Sequence, residues 1–154
     1  MLRQDIRDAL KTAMKAKDQR AVSTLRLILA ALKDRDIAAR GEGGRDDGIS
    51  DDAILEMLQK MIKQRHESIE QYDKGGRPDL VREEREEIEI ITRFLPRQMT
   101  PDEVASAVDE VLGEIGAASI KDMGKTMGAL KERYAGRMDF AKAAQLVKER
   151  LGAA

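Results

Sequence analysis

The feature that most constrains this 154-residue chain is a spacing. Apolar side chains return every three or four residues in one segment after another, and no segment alternates on every second residue. Leu2, Ile6, Leu10 and Met14 form the first such run. A helix of 3.6 residues per turn stacks that spacing on one face, whereas a strand would scatter it over both. The expected fold class is therefore all-α. Aromatic residues are 3% of the chain and Trp is absent, so the cores have to be built from Leu, Ile, Val, Met and Ala, a palette that suits helices.

Start and stop signals divide the pattern into seven helices. The first is expected over 2–17, with Arg3, Arg7, Lys11 and Lys15 as a basic stripe beside the apolar one. Asp18 is placed to cap a second, about 19–40, whose core face is Val22, Leu25, Ile28, Leu29 and Leu32, with Ser23 and Thr24 on the flanks. Gly41-Glu-Gly-Gly-Arg-Asp-Asp-Gly48 reads as a mobile loop. Ser50 caps a third helix, about 51–74, lined by Ile54, Leu58, Met61, Ile62, Arg65, Ile69 and Tyr72. Gly75-Gly76 ends it and Pro78 opens a fourth over 79–95. The run Glu83, Glu84, Glu86, Glu87 and Glu89 is its solvated side.

Pro96 marks a boundary. Thr100, Pro101 and Glu103 form a strong helix start, with a cap, a proline at the first helical position and a glutamate three residues after the cap. Helix five is expected over 101–113, ended by Gly113 and Gly116. Ser119 with Asp122 opens helix six, about 120–134, and Asp139 caps helix seven, 140–151. The expected architecture is a four-helix N-terminal bundle or hairpin domain over 1–96 and a small three-helix tail domain over 97–154.

The net charge of −1 hides an uneven distribution. Residues 1–45 carry a balance of +5, residues 46–95 of −6, and residues 119–152 of +4. Ordinary solvated helix faces account for this; so do local anion-binding patches on a nearly neutral protein. Helix six is the odd element. Gly124 and Gly128 lie one turn apart, and each costs about 1 kcal/mol relative to alanine in a helix interior. Two accounts stand side by side. The glycines permit close helix crossing within the tail, or they bare the backbone for a ligand. Lys121 and Lys125 are spaced one turn apart beside them, with Lys131, Arg133 and Arg137 following on the same strip or in the next turn. Spaced cations, bare amides and few bulky side chains suit a phosphate backbone.

Other chemistry finds little support. The absence of Cys excludes disulfides, cysteine-ligated zinc, iron–sulfur clusters and a cysteine nucleophile. His66, the single histidine, has Glu70 as its one near partner for a metal and is expected to face solvent. Gly41-Glu-Gly-Gly lacks the strand before and the Lys-Ser/Thr after that a phosphate loop needs. No catalytic residue, metal or cofactor is expected. Arg65 is expected to act as a hydrogen-bonding hub facing the bundle. No apolar run approaches the ~20 residues of a membrane span, and no signal-peptide core follows Met1, so a cytoplasmic location is expected.

Several motifs together resemble a known family. Leu95-Pro-Arg-Gln-Met99 followed by Lys121-Asp-Met-Gly-Lys-Thr-Met-Gly128 is similar to the C-terminal tail of GatB, the subunit of tRNA-dependent amidotransferases that binds aminoacyl-tRNA. Ala13-Met-Lys-Ala-Lys-Asp18, Ser23-Thr-Leu-Arg-Leu27, Lys63-Gln-Arg65 with Glu67-Ser-Ile69, and Gly76-Arg-Pro-Asp-Leu80 resemble the free-standing YqeY proteins. Where the family reads Gly-Arg-Ala-Asp-Gly, this chain has Gly136-Arg-Met-Asp-Phe140. The resemblance implies an all-α protein whose tail grips tRNA. It also invites an assignment of carbon–nitrogen ligase activity with glutamine as amide donor, for which the residues supply no catalytic constellation. Three functions follow as expectations: a non-catalytic tRNA-binding adaptor, an accessory to amidation that works beside amidotransferase subunits, or a protein-interaction module whose Met-rich, glycine-bared surface docks a partner helix.

Overall fold

A computed structural model describes residues 1–42 and 48–152. Seven α-helices and one short 3₁₀ turn make up its regular structure, with no strand among the described residues. The chain divides into two compact units, Met1–Leu95 and Pro96–Ala154.

The first unit holds α1 (Leu2–Lys15), α2 (Gln19–Gly41), α3 (Asp51–Lys74) and α4 (Pro78–Thr92). α3 packs along α4, α1 lies on α2, and α2 also meets α4. The periodic residues converge: Ile6, Leu25, Ile28, Leu32, Ile54, Leu58 and Ile91 are buried together, with Leu10, Leu29, Ile62 and Phe94 packed against them. Thr24, expected on a flank, is fully buried, and its hydroxyl donates to the Arg20 carbonyl at 2.8 Å. A backbone acceptor one turn back makes that burial tolerable for a polar side chain.

α1 holds its whole apolar run but ends at Lys15, two residues short of the expected 17. Lys17 takes the left-handed conformation (φ 55°), and the Asp18 N–H bonds to the Ala13 carbonyl at 3.0 Å, closing the helix end. Asp18 then caps α2 by accepting from the Ala21 N–H at 3.2 Å. α4 begins at Pro78 and stops at Thr92 instead of running to 95. The Phe94 and Leu95 N–H groups reach back only three residues, to Ile91 and Thr92, tightening the chain before Pro96. Gly41 is the last residue of α2, and residues 43–47 of the expected loop lie outside the described residues. Gly48 is buried at φ 95°; a Cβ there would meet the Asp36 carboxylate at 2.7 Å and collide with the Arg3 guanidinium.

The glutamates of α4 are not uniformly solvated. The side chains of Glu84 and Glu87 are 19% and 17% exposed, and both face Arg65, itself 13% exposed. Arg65 Nε donates to Glu87 at 2.9 Å and its Nη1 to the Met61 carbonyl at 3.2 Å. Arg20 of α2 joins from the other side, donating to Glu86 at 3.2 Å. Burial, then the neighbouring Glu87 charge, push the Glu84 carboxyl above its usual range.

The second unit holds α5 (Pro101–Ile115), the 3₁₀ turn Ile120–Asp122, α6 (Met123–Arg133) and α7 (Phe140–Gly152). Val108, Val111, Leu130, Met138, Ala143 and Val147 form its core. Thr100 and Glu103 make the full capping box of α5. Gly113 does not end that helix. It stays inside, and the chain turns at Gly116 (φ 68°), where the Ala117 N–H returns to the Leu112 carbonyl at 3.0 Å. A left-handed cap needs a residue without Cβ, and the second glycine supplies it. Asp139 opens α7 by accepting from the Ala141 N–H at 2.9 Å.

Candidate nucleic-acid interface

The candidate face is built by the start of α6. Ser119 and Asp122 form a second capping box around the 3₁₀ turn. Asp122 accepts from the backbone N–H of Ala118 (2.9 Å) and Ser119 (3.2 Å). Those two bonds, with the nearby Lys125 charge, hold its carboxyl below the usual range. The turn thereby sets where α6 begins and which way its faces point.

Two faces result. Thr126 and Leu130 are buried, Thr126 donating to the Asp122 carbonyl at 2.9 Å, and Met123, Met127 and Ala129 pack against the tail core. On the other side Lys121, Gly124, Lys125, Gly128 and Lys131 are all exposed. A Cβ at Gly124 or Gly128 would meet nothing within 4 Å. Close helix crossing therefore does not explain these glycines; each opens onto free space. Met123 and Met127 are partly buried, packed against the core of their own unit. Lys121, Lys125 and Lys131 form no ion pair with any described residue.

The two arginines are not on this strip. Arg133 is nine residues beyond Gly124, two and a half turns on at 3.6 residues per turn, so it lies on the opposite side of α6. There it pairs with Glu114 of α5. Arg137 lies past the helix, its guanidinium 5.9 Å from the Tyr134 ring centroid and its Nε donating to the Arg97 carbonyl at 3.4 Å. Of the seven sequence-derived site residues, five share one face and two serve local structure.

The Leu95–Met99 motif gains a structural role. Gln98 Nε2 donates to the Gly136 carbonyl at 2.6 Å, and the Met99 N–H to the Arg137 carbonyl at 2.8 Å. Arg97 makes a two-pronged pair with Glu103 at 3.0 and 2.8 Å, which pulls the Glu103 carboxyl down to about 2. Met138, placed where the family has alanine, is buried in the tail core, and Phe140 packs against the same core. The altered motif thus adds packing at the entrance to α7.

His66 is exposed, and no group of three or more His, Asp or Glu that could hold a metal occurs among the described residues. The half-buried glutamates near Arg65 are engaged in ion pairs between helices. No described helix is long and apolar enough to cross a membrane.

The model of a family described as Yqey-like protein matches residues 3–151. Similar curated proteins carry the name Altered inheritance of mitochondria protein 41, mitochondrial. The one from Lachancea thermotolerans is 37% identical over 91 residues, covering 59% of this chain and 46% of that protein. The one from Eremothecium gossypii is 36% identical over 112 residues, covering 71% and 58%. The one from Saccharomyces cerevisiae strain YJM789 is 34% identical over 86 residues, covering 56% and 44%. The chain spans about half the length of these relatives.

Proposed function

The chain belongs to the YqeY-like family, and on that footing we propose that it is a non-catalytic RNA-binding adaptor whose tail grips the phosphate backbone of tRNA. One observation carries this reading: α6 and the 3₁₀ turn before it present Lys121, Lys125 and Lys131 around two exposed glycines that no packing requires. Lysine ammonium groups meet phosphate oxygens as point charges, and the bare helix surface lets a ribose–phosphate chain lie close. Residues 97–154 are the RNA-contacting domain in this reading, and residues 1–96 the scaffold domain. Phosphate contacts carry no sequence information, so the adaptor binds by shape and charge, and a partner supplies any chemistry. The relatives' names place them in mitochondria, and cytoplasmic placement was the expectation for this chain; translation runs in both, so either location suits a tRNA ligand.

The test is a tRNA gel shift of the full chain against a K121E/K125E/K131E variant. The expected result is affinity lower by about tenfold or more at low salt, and a plot of log affinity against log salt shallower by about 2–3 units. Unchanged gel shifts in the triple variant would sink the proposal. A variant of Arg133 is a poor probe, because that side chain lies on the side of α6 opposite the glycines and is paired with Glu114.

A further inference from the structure

The first unit carries a second row of cations with the spacing of Lys121 and Lys125. Arg7, Lys11 and Lys15 follow one another at one-turn intervals along α1, and all three are exposed. Together they span about 12 Å of helix axis. None of them forms an ion pair with a described residue. The same unit matches other cations across its helices: Arg3 with Asp36, Arg20 with Glu86 and Arg65 with Glu87. Two acids belong to α1 itself. Asp8 stands beside Lys11 and takes the Gln4 amide at 2.8 Å. Asp5, six residues before Lys11, lies about a third of a turn round the helix from it.

Like charges one turn apart cost a helix stability, and α1 holds two such pairs, Arg7 with Lys11 and Lys11 with Lys15, without an ion pair to offset them. A polyanion relieves that repulsion along the whole row, whereas one small anion reaches only part of it. The partner that fits is therefore extended and repeats its charge. An anionic membrane is the poorer match. A helix that lies on a membrane needs a free apolar face, and Leu2, Ile6 and Leu10 of α1 are buried in or packed against the core of their own unit. Met14, 51% exposed, is the one large apolar side chain of α1 left open. A phosphate backbone asks for spaced cations and no apolar face.

We propose that the row of Arg7, Lys11 and Lys15 is a second RNA contact, and that the chain grips one folded RNA with both of its units. The inference rests on the RNA reading of the tail and extends it: the first unit becomes a binding element as well as a scaffold. Two modest charge contacts on one chain reinforce each other, because engagement of the first holds the second at high effective concentration. An RNA of tRNA size offers phosphates to both rows; an oligonucleotide of a few phosphates occupies one row at a time.

The test measures the tRNA affinity of the full chain by gel shift over a salt series, for the parent, R7E/K11E/K15E, K121E/K125E/K131E and the control K60E/K63E/K74E. The control reverses three exposed lysines of α3 and changes the net charge by the same amount. R7E/K11E/K15E should bind tRNA about tenfold or more weakly, with a plot of log affinity against log salt shallower by about 2–3 units. The control should stay within about threefold of the parent. R7Q/K11Q/K15Q, which adds no acid, should fall in the same direction as the reversal. The three positions are exposed, so native NMR positions for the amides of Ile6 and Leu25 report an intact unit. An α1 variant that binds tRNA like the parent, or no more weakly than the control, overturns the proposal; if K121E/K125E/K131E has lost affinity, the tail reading still stands. Loss in the α1 variant alone removes the tail contact and with it the two-unit grip. A parent chain without tRNA affinity removes both readings. Vesicles of phosphatidylserine and phosphatidylcholine supply the competing surface. If the parent binds them, R7E/K11E/K15E does not, and tRNA binding is equal in the two, the row serves a membrane and the proposal falls.

Discussion

The two units solve the same problem by different means. In Met1–Leu95 the helices α2 and α3 run 23 and 24 residues, and their apolar stripes meet along their length. Its polar bonds span helices: Arg65 to Glu87, Arg20 to Glu86, Arg3 to Asp36. In Pro96–Ala154 the helices run 11 to 15 residues, and the polar bonds that fix it sit at helix ends and turns. Two capping boxes, the Asp139 cap and the Gln98 and Met99 bonds to the 136–137 turn set where each helix starts. Its inter-helix ion pairs, Arg133–Glu114 and Arg150–Asp109, are exposed and worth little. A small core cannot dictate helix positions through area alone, so end chemistry does it. The helix that carries the candidate site belongs to the weaker scheme, and that is where two exposed glycines are tolerated.

The largest effect that could break this contrast is a cavity in each core. Leu58 and Leu130 are both fully buried, one in each unit. Truncating either to alanine is expected to cost about 2–5 kcal/mol. L58A should lower the denaturant midpoint of the first unit and leave it folded in water. L130A should unfold the tail, with the amides of Val108 and Val147 losing their native NMR positions while those of Ile28 and Leu58 keep theirs. A tail that stays native in L130A while L58A unfolds the first unit would reverse the ranking of the two schemes.

A smaller effect, of opposite sign, comes from the glycines. Gly124 and Gly128 sit in a helix with nothing within 4 Å of where a Cβ would stand, so alanine fits at both. Each substitution should stabilise the tail by about 1 kcal/mol, read as a rise in its denaturant midpoint. tRNA affinity should fall in the same G124A/G128A variant, since two methyl groups now stand on the bared surface. A tail made more stable with full RNA binding would leave the lysines in place and remove the glycines from the site.

Much of this was legible from spacing. The helices on Asp18, Ser50, Thr100 and Asp139 begin where their caps stand, because a cap is a local hydrogen bond between residues that are neighbours in sequence. Helix ends were less legible. Gly113 and Gly116 carry equal local signals, and only the chain's exit direction selects the second. The acidic side of α4 misled for a related reason. Glu84 and Glu87 look like solvated charge until Arg65 and Arg20 arrive from other helices. The split of the tail cations is mixed. Helical counting alone puts Arg133 on the side opposite Gly124, but its partner Glu114 is fixed by packing.

The smallest effect is the response to acid, and its size differs between the units. In the tail, the Arg97 bonds pull Glu103 from the usual 4.5 to about 2; the Arg133 bond lowers Glu114, and the backbone bonds from Ala118 and Ser119 lower Asp122. A carboxyl lowered in the folded state stabilises above its unfolded value and loses that contribution as pH falls through the folded one. In the first unit, the Arg3 bond lowers Asp36 and the Arg77 bond lowers Asp79 in the same sense, but Glu84 is raised. Glu84 therefore stabilises most below its unfolded value, and its contribution fades as pH rises through the folded one. Acidification from pH 7 towards about 2.5 costs the tail three contributions without an offset, while Glu84 offsets part of the loss in the first unit. The tail should thus melt at the higher pH of the two in an acid titration followed by unit-resolved NMR. The groups concerned in the tail are exposed and screened, so the gap should be modest and shrink in about 1 M salt. Glu84→Gln should narrow it further by removing the offset. A first unit that melts before the tail would show that its half-buried ion pairs, rather than the tail's caps, are the acid-sensitive element.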